Sequence, residues 1–270
     1  MAGTDTDITE SKQAEEQVRR QFHYLSALRQ IDMAIIAGFD LQRTLHVLLA
    51  HVASQLKVDA ATILVMVSDS QRLEYAAGRG FRALSSQRVC RCLGQHFIEQ
   101  PASDARSGAF QTLEHLELEH VRRALQDNEG LCAYHMVPLI AKGQIKGVLQ
   151  LFHRTPPTLN QDWYDFMETL AGQAAIAIYN VELFENLQHA NAELIHAYDA
   201  TIEGWVRALE LRDADTEGHT RRVTEMTVTL AQEMDIPDTT MVHIRRGALL
   251  HDIGKMGIPD NVLLKKGRLN

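Results

Sequence analysis

The chain has 270 residues, of which 45% are hydrophobic and 23% charged, and its formal net charge is -8. This length is enough for about two domains of roughly 100–200 residues each. The acidic balance argues against nucleic-acid binding, which requires clustered positive charge, so we expect no such partner. No apolar run reaches the ~18 residues of a membrane helix, and the start "MAGTDTDITE" is polar. We therefore expect no membrane association, no signal peptide and a cytoplasmic location.

Residues 14–36 have the pattern of an amphipathic helix. Val18, Phe22, Leu25 and Leu28 recur at three- and four-residue steps, and charged residues fill the other faces. Such a stripe needs a partner helix. The stretch just before it, "DITESKQAEE", resembles the charged tail that follows a PAS sensor domain. We therefore interpret residues 1–38 as a linker helix of the post-PAS type.

A helix followed by two strands is predicted next. Residues 41–56 carry leucines and a valine at helical spacing, whereas "AATILVMVS" and "LEYAAGRG" have the short apolar runs and turn residues of strands. Further along, "MVPLIAKGQIKGVLQLFHR" contains two apolar runs around "KGQ", which predicts a β-hairpin. In its second run, apolar residues alternate around Gln150.

Residues 81–131 keep neither period for long, and we expect short helices there with a loop at "PASDARSG". Cys90, Cys92 and His96 could in principle hold a metal ion or a thioether-linked chromophore, but their spacing matches no standard zinc site. The chain has three cysteines and no C-x-x-C pair, so we favour free thiols in a reducing compartment.

A long helix is predicted for residues 160–200. A seam of apolar residues steps along it by three or four, at Ile176, Tyr179, Leu183, Leu187, Ala190 and Leu194. A single small domain cannot bury so long a seam, so we expect it to pair with the same helix of a second subunit as a homodimer. The alternative is an ordinary amphipathic helix packed on the sheet.

Three stretches carry a resemblance to the GAF domain family: "LEYAAGRGF", "VPLIAKGQIKGVLQLFHR" and "AGQAAIAIYNVELFENLQ". The resemblance implies an α+β domain, an antiparallel sheet with flanking helices, over residues 39–182. Residues 183–205 then form a long signalling helix. It also implies a small ligand without naming it, because GAF domains bind cyclic nucleotides, haem, bilins or nothing.

After the long helix, "GHTRRVTEM" begins another amphipathic helix. Its predicted inward face holds Val223, Met226, Thr227, Leu230, Ala231 and Met234. His219 lies one turn before Val223, so we expect its imidazole to project into the interior. A single inward histidine is either a hydrogen-bonded core residue or a metal ligand, and the pattern alone does not choose between them.

The next predicted helix covers residues 239–253 and ends at Gly254. His251 follows the stripe of Met241, Ile244 and Ala248, with Asp252 beside it, so the pair can flank a metal ion. With His219 they form a partial nitrogen and oxygen site suited to iron, manganese or zinc. The alternatives are a hydrogen-bonded pair at a helix end and, for Lys255, a cation that offsets the helix dipole.

The wording and spacing of "GHTRRV" and "LLHDIGKMGIPDNVLLKKG" resemble the HD-GYP branch of the HD phosphohydrolases, over residues 198–267. The resemblance implies a bacterial cyclic di-GMP phosphodiesterase with two or three divalent metal ions, iron or manganese. By that resemblance His219, His251 and Asp252 are metal ligands, Asp252 bridges two ions, and Lys255 contacts the substrate phosphate. The catalytic residues are then Asp252 and Lys255.

Asp215 lies four residues before His219. Family members with a carboxylate at this position resemble the three-metal type, so the resemblance implies that Asp215 is a further metal ligand. The alternative is a capping role, because Asp213, Asp215 and Thr216 sit where the unpaired N–H groups of the helix begin. Both interpretations of Asp215 stay open.

In the family, further metal-binding histidines, a last aspartate and the GYP loop come downstream of these motifs. Residues 206–270 are therefore interpreted as an all-α, partial HD-GYP domain, and we expect little hydrolysis by this chain alone. A different class of function is a non-catalytic sensor and dimerisation module with a remnant HD segment. A plain HD nucleotide hydrolase would share His219, His251 and Asp252, but "GKMGIP" argues against it.

Overall fold

A computed structural model describes residues 40–67, 70–83, 85–99, 110–212, 218–265 and 267, together with Ser26, Arg29 and Met33. It contains two compact units, Met1–Phe184 and Glu185–Asn270. The predicted linker helix, apart from three residues, and the "PASDARSG" loop lie outside the described residues.

The first unit is built on a five-stranded antiparallel sheet with strand order β2-β1-β5-β4-β3. The strands are β1 Ala60–Val67, β2 Arg72–Arg79, β3 Gln111–Thr112, β4 Ala133–Ala141 and β5 Gln144–His153. The β4–β5 connection is the two-residue turn Lys142–Gly143, in which both residues have positive φ, 52° and 77°. Such a turn matches the twist of paired strands, and the predicted hairpin is confirmed.

Helices flank this sheet. They are α1 Leu41–Gln55, α2 Ser86–Glu99, α3 Glu119–Arg123 and the long α4 Gln161–Arg212, with a 3₁₀ turn at Leu113–His115 and a π-helical turn at Ala124–Asn128. The α+β arrangement followed by a long helix and a helical segment is confirmed. The expectation of only short helices over residues 81–131 is wrong for α2, which has 14 residues. Its buried face includes Cys90 and Gly94, which give a weak apolar signal.

Each face of the sheet is covered by a hydrophobic core. One core, which includes Leu45, Ile63 and Leu170, joins the sheet to α1 and α4, and the other, which includes Leu64 and Leu93, joins it to α2. All of β5 from Lys146 to His153 is therefore buried. Burial in β5 therefore does not follow the alternation of its apolar residues around Gln150, because the strand is covered on both faces.

Gln150 is a polar exception inside the second core. Its Nε2 donates to the carbonyl of Cys90 over 3.0 Å, which joins β5 to α2. Directly above, a Cβ atom at Gly94 would lie 2.3 Å from Leu64 Cδ1 and 3.0 Å from Gln150 Nε2. A side chain at position 94 would force Leu64 to move, so glycine lets α2 lie this close to the sheet.

Helix α4 is longer than the predicted 160–200. Its first turn is capped by Asn160, whose Oδ1 accepts from the Trp163 amide over 3.0 Å. In the first unit, Lys146 of β5 pairs with Glu182 over 2.6 Å. Most of the predicted seam lies at the surface: Ile176, Leu183, Leu187 and Leu194 are 47%, 54%, 65% and 58% exposed. Within the described residues, no helix is long and apolar enough to cross a membrane.

The second unit continues with α5 His219–Glu233, α6 Asp238–Leu249, the 3₁₀ turn Ile253–Gly257 and α7 Asp260–Leu263. The predicted inward face of α5 is confirmed for Ala231 and is wrong for its methionines and leucine. Its buried residues are Thr220, Thr224 and Ala231, whereas Met226, Leu230 and Met234 are more than half exposed. The threonines can be buried because Thr224 Oγ1 donates to the Thr220 carbonyl over 2.8 Å, which satisfies the hydroxyl within the helix.

Candidate metal centre

His219, His251 and Asp252 lie together at one end of the second unit. Each offers one ligand atom, and the three atoms lie within 4.8 Å of one another. The two imidazole rings have centroids 5.6 Å apart and are tilted by 57°. Two neutral imidazoles and a carboxylate are a donor set that suits iron, manganese and zinc.

His219 occupies the first position of α5. The residue before it, Gly218, has φ of 82°, a left-handed conformation that glycine adopts at low cost, and the helix starts directly after this turn. The expectation that His219 projects into the interior is wrong, because His219 is not among the buried residues. Its imidazole is therefore accessible at the start of the helix.

The sequence predicted that His251 and Asp252 lie on a helix, but the structure places them on the turn that follows it. Helix α6 ends at Leu249, and the 3₁₀ turn begins at Ile253, so Gly254 does not terminate α6. The amide of His251 makes a weak bond to Ala248, three residues back, at 3.4 Å. The tighter turn brings the two side chains together, with His251 Nε2 3.3 Å from Asp252 Oδ2.

The protonation of His251 follows from its other nitrogen. Nδ1 lies 2.8 Å from the Ala248 carbonyl oxygen. A carbonyl oxygen only accepts, so Nδ1 carries a proton, and Nε2 is the ring nitrogen left to face Asp252. Nε2 and the Asp252 carboxylate can then share either a proton or a metal ion. A metal-binding histidine commonly donates its second N–H to a backbone carbonyl in this way.

Lys255 supplies positive charge beside this pair. Its Nζ donates to Asp252 Oδ2 over 2.9 Å, and both side chains are only about a quarter exposed, at 28% and 24%. The ammonium of Lys255 therefore lies next to a candidate metal ligand.

The cysteines considered as ligands are not part of this cluster. Asp215 lies outside the described residues. Cys90 is buried, Cys92 is exposed and Cys132 is partly buried, and all three thiols are free. Within the described part of the chain, the group of His219, His251 and Asp252 is the one arrangement of three such residues that could hold an ion.

Sequence reasoning missed two arginines that contact the segments around this cluster. Arg246 pairs with Asp199 over 2.8 Å, and Arg212 binds carbonyls of the turn after Asp252. These contacts join residues more than 40 positions apart, so helical periodicity carries no signal for them. A groove of about 640 Å³ lies nearby, lined by three arginines and three glutamates among others. We assign it no ligand because these charges balance.

Two domain families match the chain. The GAF domain model matches residues 40–178. The HD domain model matches residues 216–269, a range that contains His219, His251, Asp252 and Lys255.

Similar proteins have been characterised or solved. A Cyclic di-GMP phosphodiesterase of Thermotoga maritima is 47% identical over 60 residues, 22% of this chain and 16% of that protein. The 3'3'-cGAMP-specific phosphodiesterase 3 of Vibrio cholerae is 34% identical over 82 residues, 30% of this chain and 18% of that protein. The matches thus span less than a fifth of either relative. The crystal structure of a GAF domain/HD domain protein from Geobacter sulfurreducens is 17% identical with a TM-score of 0.44, covering 54% of this chain and 96% of that one.

Proposed function

We propose that this chain, which belongs to the GAF domain family and continues into an HD domain, acts in a sensor-regulated, metal-dependent phosphodiesterase that hydrolyses cyclic di-GMP. The observation that carries the proposal is the orientation of His251. Its Nδ1–H is committed to the Ala248 carbonyl, and its Nε2 faces Asp252 at 3.3 Å, with His219 alongside. This arrangement is suited to a divalent cation.

His219, His251 and Asp252 would hold the metal, and Asp215 is a candidate further ligand. We propose iron or manganese, with two or three ions in the intact domain and Asp252 as the bridging carboxylate. Bound ions of this kind lower the pKa of water to give hydroxide near neutral pH and offset charge on the phosphoryl oxygens. The chain's own contribution is orientation, because the Ala248 carbonyl holds the ring of His251 in one tautomer.

Lys255 would have two roles. In the first role, the Lys255 ammonium donates a hydrogen bond to Asp252 and balances the charge of its carboxylate. When a cation takes that carboxylate, the flexible lysine side chain can turn to a phosphate oxygen of the substrate, since its ammonium donates in three directions.

The substrate class is a cyclic dinucleotide. Among the similar curated proteins, those of Thermotoga maritima and Xanthomonas campestris carry cyclic di-GMP in their names, whereas two from Vibrio cholerae carry 3'3'-cGAMP. We propose cyclic di-GMP, which the names of five such relatives carry against two for 3'3'-cGAMP, and treat 3'3'-cGAMP as the competing substrate.

We also propose a homodimer that forms along α4. Support comes from the exposed seam: Leu187 and Leu194 are 65% and 58% exposed, and Tyr198 and Trp205 further along are at least half exposed. Apolar side chains at three- and four-residue steps are suited to pairing with a second copy of the same helix. The GAF domain would take a small ligand and act on the HD domain through this helix.

The proposal is tested on two proteins. The 270-residue chain is titrated with Mn²⁺, and we expect binding that is lost in His251→Ala and Asp252→Ala but retained in the exposed control His189→Ala. The product of the complete natural reading frame is then assayed with both dinucleotides, where we expect Asp252→Ala to abolish hydrolysis. A wild-type product that binds no metal and cleaves neither substrate would favour a non-catalytic sensor module instead.

The chain of 270 residues alone should hydrolyse little cyclic di-GMP. Three ligand groups come together among the described residues, whereas two bridged ions need more protein ligands than three. Rapid hydrolysis by the purified 270-residue chain would contradict this expectation.

A further inference from the structure

We infer that Arg212, the last residue of α4, is a positioning residue that holds the turn after Asp252 and so links the long helix to the metal ligands. The inference rests on the proposed function of the His219, His251 and Asp252 cluster. It concerns how that site is controlled, not which groups form it.

The guanidinium of Arg212 lies at the centre of this turn. Its Nη1 donates to the Met256 carbonyl over 2.7 Å, and its Nη2 donates to the Ile258 carbonyl. Its Nε and Nη2 also donate to Asp260 Oδ1, over 2.9 and 2.7 Å. A longer contact of 3.4 Å reaches the Lys255 carbonyl. The fork of fixed N–H donors suits such a cluster of oxygens, and charge-assisted bonds are the stronger kind.

The turn held by Arg212 is continuous with the metal ligands. The amide of Lys255 donates to the Asp252 carbonyl over 2.9 Å, and the Lys255 side chain reaches the Asp252 carboxylate. The amide of Ile258 in turn donates to the Lys255 carbonyl over 3.1 Å. Fixing residues 255–258 therefore fixes the backbone from which Asp252 projects.

A second arginine, Arg246, joins α4 to the segment on the N-terminal side of His251. Arg246 of α6 lies five residues before His251, and its Nε donates to Asp199 of α4 over 2.8 Å. Its guanidinium also lies over the Tyr198 ring at 6.0 Å. The segments on both sides of His251 and Asp252 are thus bound to α4.

A purely local role does not account for Arg212. A helix-terminal arginine commonly interacts with the last carbonyls of its own helix, whereas these contacts reach residues 43 to 48 positions later. The side chain is about one third exposed, at 32%, so it is not a buried core group. A shift of the end of α4 changes the turn of Asp252 directly.

The test is Mn²⁺ titration of the 270-residue chain with Arg212→Met, Arg212→Lys and the matched control Arg207→Met on the same helix. We expect Arg212→Met to weaken Mn²⁺ binding about 10- to 100-fold, the usual effect of losing a group that orients metal ligands. Arg212→Lys should recover part of the loss, because lysine keeps the charge but not the fork. Arg207→Met should bind as the wild type does.

Hydrogen exchange of amides 253–258 is the second readout, and it needs no metal. We expect faster exchange there in Arg212→Met, with unchanged exchange in β5. If the wild-type chain binds no Mn²⁺, the proposed metal site fails, and the exchange rates alone decide the role of Arg212. Unchanged exchange and affinity in Arg212→Met overturn the inference. If that variant is unfolded by circular dichroism, Arg212→Gln replaces it, because glutamine removes the charge and most of the donors. Unchanged exchange and affinity in Arg212→Gln overturn the inference equally.

Discussion

Lys255 Nζ and Asp252 Oδ2 are joined by a hydrogen bond of 2.9 Å, and the same oxygen faces His251 Nε2 at 3.3 Å. One carboxylate oxygen of Asp252 therefore accepts a hydrogen bond from Lys255 and also faces the ring nitrogen of His251, a candidate metal ligand. The lysine and a bound cation would compete for this oxygen.

Lys255→Met should strengthen Mn²⁺ binding by the 270-residue chain by up to about fivefold. The variant removes a competing cation, and a solvent-accessible ion pair is worth about 0.2–1 kcal/mol. The same variant in the product of the complete reading frame should hydrolyse cyclic di-GMP more slowly, since the proposed phosphate contact is lost. Titration calorimetry and a phosphodiesterase assay measure the two effects. Lys57→Met, in the first unit, is the control, and weaker metal binding in Lys255→Met would contradict the competition.

The first unit should lose stability in mild acid because of His135. Burial, aided by the neighbouring His153, lowers the pKa of His135 from 6.5 to about 4. Neither ring nitrogen of His135 has a hydrogen-bond partner within the described part of the chain. The folded state thus favours the neutral ring. The contribution of neutral His135 to the free energy of unfolding is complete above pH 6.5 and declines as the pH falls. It is lost below about pH 4, and the total loss is on the order of 3 kcal/mol.

Trp163 provides a local readout of this titration. Its ring centroid lies 5.4 Å from that of His135, and Tyr164 lies 5.8 Å away. Urea unfolding followed by tryptophan fluorescence between pH 7.5 and 4.5 measures the effect. His135→Phe should flatten the dependence, although burial also lowers the pKa of His153, which faces Asp59, and leaves a residual slope. An identical slope in the variant would exclude His135 as the source.

Glu129→Ala should lower the free energy of unfolding of the first unit by about 2–4 kcal/mol. Its buried carboxylate accepts from the amides of Arg82 and Ala83 over 2.7 and 2.9 Å and from the Ser86 hydroxyl. Burial acts to raise the pKa of Glu129, but these bonds and the charge of Arg154 hold it below its usual value. Removal leaves buried donors without an acceptor. Urea denaturation at pH 7 measures the change, and the exposed Glu74→Gln should leave the midpoint in place.

Leu187→Glu should weaken the proposed dimer at least tenfold. A charge at the seam would face its copy on the partner helix, and like charges at such positions repel. Light scattering across a dilution series gives the dissociation constant. Gln188→Glu adds the same charge one position away from the seam and should change it little. A wild-type chain that is monomeric at high concentration would refute the dimer itself.

The order of elements in the first unit could be predicted because its signals are local. The Lys142–Gly143 turn and the apolar runs of β4 and β5 mark a hairpin in any context. The burial of Gln150 could not be predicted, because it depends on α2 covering the second face of the sheet. Helix α2 could not be predicted in full because Gly94 is a poor helix former. Glycine occurs there because the helix lies in close contact with the sheet.

The three residues of the candidate site were proposed from the sequence, whereas their geometry was not. The spellings "GHT" and "HDIGK" identified His219, His251 and Asp252 through a family resemblance, and the structure brings these three together. The turn at residues 250–257 and the exposure of His219 depend on the packing of α5 and α6, which periodicity does not report. The carbonyl that orients His251 belongs to the backbone of Ala248, and the alanine side chain gives no sequence signal for that role.

The contact of α2 with the sheet sets a condition on any ligand of the first unit. Leu64 and Gln150 lie so close to Gly94 that a single methyl group there would overlap both. A molecule that enters between α2 and this part of the sheet would have to displace these side chains or α2 itself, and it would compete with the bond from Gln150 to Cys90. Binding in this layer would therefore be coupled to a rearrangement of α2 against the sheet.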